Sequence, residues 1–163
     1  MIQRIQSAFL FLAALCLSVI FMFPVVEFNV RNAALPMYVT GFPPESLYNA
    51  VVQKYWFLLF SLLLIAAITL LLVALFSYKK RPRQLKLCSA SFFLTIVFLV
   101  LLCFLPDVIA GRIEPGIDKD IANKIVKLQW PVVLPVLSLV LNYLAMRFIR
   151  KDEALVRAAD RLR

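Results

Sequence analysis

Residues 54–80 read KYWFLLFSLLLIAAITLLLVALFSYKK, and the 24 residues between Lys54 and Lys79 carry no charge. A hydrocarbon layer about 30 Å thick is crossed by about 20 helical residues at 1.5 Å each. Lipid offers open backbone groups no partner, so such a stretch crosses as a helix or within a closed barrel. Phe57 to Phe76 lacks the period-two alternation of a barrel strand. The stretch reads as a membrane-spanning helix.

Three other uncharged intervals meet the same length. They hold 22 residues between Arg4 and Glu27, 20 between Lys86 and Asp107, and 19 between Lys127 and Arg147. The chain of 163 residues is 63% apolar and 17% charged, against about 45–50% apolar for soluble domains. The expected architecture is an all-α membrane protein, a four-transmembrane-helix antiparallel bundle forming a single domain. Its spans are set at about 5–26, 55–78, 87–106 and 128–146, with a tail helix over 147–163. The first interval also invites a signal-peptide reading, but it outruns an apolar core of about 7–15 residues and no A-x-A site follows it closely. It reads as a retained span.

The formal charge of +9 is concentrated beside the spans. Lys79, Lys80, Arg81, Arg83 and Lys86 fill one short loop, six basic residues follow from Arg147, and Arg4 stands at the amino end. That makes twelve on one side against six on the other, the six being matched by six carboxylates. Lys and Arg accumulate on the cytoplasmic side, so both termini are expected there. A nucleic-acid binder needs a continuous basic face, and no nucleic-acid partner is expected. Pro82 keeps the second and third helices from fusing.

In the first outer loop Val26, Phe28 and Val30 alternate with polar residues, and Met37 to Thr40 is a second β-prone run before Gly41. This predicts a small β-hairpin in the first extracytoplasmic loop, followed by a short helix over Ser46 to Gln53. Tyr55 and Trp56 suit an interfacial belt. In the third loop Ile117, Ile121 and Ile125 predict an amphipathic helix, lying on the interface or docked on the first loop.

No Asp, Glu, Lys, Arg or His falls within the four intervals, and such groups mark proton relays and ion paths. The chain has no His at all, and Cys16, Cys88 and Cys103 lie in apolar runs, so no disulfide framework, cofactor, metal site or catalytic residue is expected. Pro131, Pro135, Ser138 and Asn142 fall at intervals of four, three and four on one face of the fourth span. That face suits helix packing or lipid binding, with a bend at Pro135. Beyond Arg147 no Pro or Gly interrupts the chain, so the fourth helix is expected to extend into the cytoplasm. There Arg150, Lys151, Arg157 and Arg161, with the basic loop, are expected to meet the membrane surface or a partner.

The opening Met1-Ile2-Gln3-Arg4-Ile5-Gln6 and the ending from Arg150-Lys151-Asp152-Glu153 to Arg161-Leu162-Arg163 resemble domain-of-unknown-function family 4293. That resemblance implies bacterial inner-membrane placement and a four-span plan, and it carries no activity, cofactor or catalytic residue. The expected function is a non-enzymatic accessory or scaffold subunit of a larger inner-membrane assembly, partnered by the bilayer and other membrane proteins. The alternative is a lipid-binding or small transport component using the polar face of the fourth helix.

Overall fold

The four uncharged intervals fold as four helices, each long and apolar enough to cross a membrane. The computed structural model describes residues 2–30, 33–43, 54–78, 81–113 and 126–161. The helices are α1 (Ile2–Val19), α2 (Lys54–Phe76), α3 (Arg81–Ile113) and α4 (Val133–Arg161). Three short strands are β1 (Val26–Val30), β2 (Ala33–Met37) and β3 (Val126–Leu128). The expected helix at 46–53 and the isoleucine stripe at 117–125 lie outside the described residues.

Burial repeats along every helix with alternating steps of three and four. The stripes are Gln6, Leu10, Ala13 and Leu17 in α1, with Ile20 just beyond it, then Phe57, Phe60, Leu64, Ala67, Leu71 and Ala74 in α2. On α3 the series runs Gln84, Cys88, Ser91, Thr95, Phe98, Leu102, Leu105 and Ile109. A 3.5-residue period is the pattern by which one helix packs along another. α1 packs on α2 and α4, and α3 packs on the same two. Alanine or serine at several seam positions lets backbones approach closely, which is how helices associate where lipid removes the hydrophobic drive. Edge-on Phe60 and Phe98 join α2 to α3 with ring centres 5.4 Å apart.

Only 28–33% of each apolar window is buried inside the protein. The remainder, including Phe11, Leu62, Phe93 and Phe104, faces outward. In water these faces would far exceed the few hundred Å² that soluble monomers tolerate.

The first span is shorter than the 5–26 interval. α1 passes through a 3-10 turn at Ile20–Met22, and Val26 already belongs to β1. The reason is the alternation of Val26 and Phe28, both fully buried, with Glu27 and Asn29. β1 lies between β2 and β3 and pairs antiparallel with each, Phe28 standing opposite Leu35 and Val126. The second strand is thus Ala33–Met37 and not the Met37–Thr40 run. Pro36 is accommodated because β2 is an edge strand and Pro lacks only a donor. Tyr38 to Gly41 instead closes a turn, with backbone bonds of 2.9 and 3.1 Å in the two directions.

Gly41 has φ +137, a conformation essentially reserved for glycine. A Cβ there would meet the Phe57 ring only at 3.9 Å, so space is not the constraint. Gly41→Ala is expected to cost about 1–3 kcal/mol through backbone strain alone. Adding Phe57→Leu should not relieve that cost, which unfolding of the double variant would check; relief would mean a steric clash.

α3 runs well beyond the expected 87–106. Pro82 occupies its second position, where a missing N–H is harmless, and the helix continues through buried Pro106 to Ile113. In α4 the bend expected at Pro135 takes a different form. A 3-10 turn at Trp130–Val132 passes into α-helix at Val133, which leaves Pro135 in the first helical turn. The tail beyond Arg147 is helical to Arg161, as anticipated.

Candidate functional site

The polar face of α4 points inward. Pro131 and Pro135 are buried, and Ser138 and Asn142 are each 1% exposed. Ser138 Oγ donates to the Ala13 carbonyl of α1 at 3.1 Å. One turn on, Asn142 Nδ2 donates to the Cys88 carbonyl of α3 at 3.2 Å. Adjacent turns of α4 are therefore stitched to different neighbours. Ser91 adds a third stitch, donating at 3.0 Å from α3 to the Ala67 carbonyl of α2. Each bond uses a side-chain donor and a helix carbonyl with a spare lone pair, the interhelical glue expected in lipid.

Two buried polar atoms have no partner among the described residues, Asn142 Oδ1 and Gln6 Nε2. Ser18, on an exposed face of α1, turns back to the Ala14 carbonyl, and buried Thr95 turns back to that of Ser91, both at 2.9 Å. Cys16 and Cys88 are buried free thiols, and Cys103 is exposed. Among the described residues no three His, Cys, Asp or Glu side chains gather closely enough to hold a metal ion.

At the strand end, the segments that carry β1, β2 and β3 are knitted to each other. Val25 donates to Met37 at 2.9 Å, and Gln129 donates to the Val25 carbonyl at 3.1 Å. The Gln129 amide also bonds the Glu27 carboxylate, and Lys127 stands opposite Glu27 across the ladder, a favourable charge order. Phe23 and Trp130 meet edge-on with centres 5.0 Å apart. Beneath them Phe28, Phe42 and Phe57 form an aromatic chain onto α2, with centres at 5.8 and 5.5 Å. Ser61 adds a bond from α2 to the Val39 carbonyl at 3.3 Å. β3 has no strong signature in sequence, being three residues with Lys127 between two apolar neighbours.

At the opposite, basic end, the residues singled out in sequence divide into groups. Arg83, Lys86, Arg150 and Lys151 are exposed. Arg81 is not free. Its guanidinium reaches Asp152 Oδ2 at 3.1 Å and the Asp152 carbonyl at 3.3 Å, binding the start of α3 to the tail of α4. Lys79 and Lys80 lie outside the described residues, and of Arg157 and Arg161 only the helical backbone is described.

The Arg81–Asp152 pair is 71 residues apart in sequence, which hid it. Asp152 offers a weak signal, being one of three carboxylates among the basic residues of the tail. A partly exposed pair of this kind is worth about 0.5–1 kcal/mol. Arg81→Gln is accordingly expected to leave global stability nearly unchanged. Amide exchange over 147–156 should rise several-fold in that variant, and unchanged exchange would show that the tail is held otherwise.

Comparison with curated proteins finds no match. Residues 2–162 match the family model described as Domain of unknown function (DUF4293), nearly the full length of this fold with its inward stitches and basic end, and the chain belongs to that family.

Proposed function

We propose that the protein is a non-enzymatic accessory or scaffold subunit of a larger assembly in the bacterial inner membrane. Its four helices form an antiparallel bundle, with both termini on the cytoplasmic side and β1 and β2 as a hairpin in the first extracytoplasmic loop. Twelve of the eighteen Lys and Arg residues stand by the end that carries Arg81 and Arg147, which supports that orientation.

The observation that carries the reading is the tail of α4. It continues as unbroken helix past the last apolar span, is tethered by Arg81 to Asp152, and then holds Leu155 and Val156 54% and 44% exposed. A short apolar patch on a rigid helix in water is a partner's docking feature. Ser138 and Asn142 are engaged in helix contacts, which supports packing as the role of the α4 polar face.

Extraction in mild detergent followed by quantitative mass spectrometry tests the proposal. The wild type should bring down a companion in fixed stoichiometry, and Leu155→Glu with Val156→Glu should lose it while the chain stays folded. Recovery of the wild type only as a lone monomer would refute the proposal.

A further inference from the structure

Leu144, Arg147, Phe148 and Lys151 recur at steps of three, one and three, so they share one face of α4. Together they line a groove of about 260 Å³. Its apolar wall is fixed, because the Phe148 ring lies flat on Phe9 of α1 with centres 5.7 Å apart and planes 7° from parallel. Arg147 and Lys151 are exposed at the rim. Neither has an ion-pair partner among the described residues, and nearby Asp152 is committed to Arg81.

The groove also has a continuation. From Leu144 back toward the strand end, Val140, Leu137 and Val133 follow at steps of four, three and four, each of these three 44–64% exposed. The result is an outward apolar row about 16 Å long at 1.5 Å per residue, ending at two cations one helical turn apart. A ligand that uses all of it has a hydrocarbon chain and an anionic head. Arginine presents a fork that matches phosphate oxygens, and lysine adds a second charge beside it. A zwitterionic headgroup would bring its own ammonium against both cations, and a free anion would leave the apolar row unused.

The geometry points to a binding site for one anionic phospholipid. Its phosphate sits between Arg147 and Lys151, and an acyl chain lies along Leu144 and Val140. This inference rests on the membrane placement proposed above, but on a different face of α4 from the inward stitches.

The full chain, purified in detergent, is exchanged into mixed micelles of phosphatidylglycerol and phosphatidylcholine and its bound lipid counted by native mass spectrometry. The wild type should retain one phosphatidylglycerol per chain in preference to phosphatidylcholine. Arg147→Gln and Lys151→Gln should each lower that preference about fivefold, in line with the attraction of single cations near anionic lipid. Lys127→Gln removes the same single charge from an exposed position on β3 and should leave the preference unchanged. No preference in the wild type, or an equal loss in the Lys127→Gln variant, would overturn the site. Displacement of the retained lipid by millimolar inorganic phosphate would assign the pair to a free anion and overturn it too. Failure of the membrane placement would look different, as a chain that stays dispersed without detergent.

Discussion

Phe28→Ala is expected to destabilise the protein by about 3–5 kcal/mol, the range for deleting a fully buried phenylalanine. Phe28 is 0% exposed and is the first link of the aromatic chain through Phe42 to Phe57. It sits on β1, outside the four apolar windows, where water competes and apolar burial counts in full. The loss should be local as well as large. Amide protection over 26–42 should collapse, while the α2–α3 contact through Phe60 and Phe98 persists. Phe28→Leu, keeping most of the volume, should recover more than half of the loss. Reversible unfolding in mixed micelles and hydrogen exchange measure both. A cost below about 1 kcal/mol would mean that the three strands are not tied to α2 through this ring.

Asn142→Asp is expected to cost about 3 kcal/mol near neutral pH, the scale for a carboxylate placed at the centre of a membrane helix. The substitution replaces the donor on the Cys88 carbonyl with an acceptor, so charge and lone pairs then face each other. Asn142→Leu provides the contrast. It gives up one hydrogen bond and also removes the unpaired Oδ1, and replacing a half-satisfied polar group by an apolar one of similar size is close to neutral. Within about 1 kcal/mol of wild type is expected. Equal costs for the leucine and aspartate variants at neutral pH would show that shape, not polarity, governs this position.

The spans were legible because they are written in charge. Lys54, Lys79, Lys86, Asp107, Lys127 and Arg147 bracket stretches that no soluble core of this length could hide, and a helix lies over each of them, α3 and α4 running well past their brackets. Residue pattern also exposed β1, through Val26 and Phe28, and the inward face of α4, through Ser138 and Asn142. Where two signals competed, the more local one misled. Val26 was assigned to the first span by its lack of charge, although alternation made it a strand residue. The third span was ended at 106 by the charge of Asp107, yet α3 continues past it to Ile113.

Other features belong to pairing and cannot be read from one segment. β3 exists because β1 offers it a ladder. Arg81 finds Asp152 only when α3 and α4 are brought side by side. The groove at Leu144 and Phe148 depends on Phe9 from the far end of the chain. In each case the residue types were ordinary, and the information lay in which helices are neighbours.

Side-specific labelling of intact cells tests the threading most directly. In a chain whose native cysteines Cys16, Cys88 and Cys103 are replaced by alanine, one cysteine is introduced at exposed Thr40 or at exposed Arg83. A membrane-impermeant maleimide should modify the Thr40→Cys chain from outside at once, and the Arg83→Cys chain only after the cells are permeabilised. Immediate labelling of the Arg83→Cys chain, with the Thr40→Cys chain protected, would contradict the account.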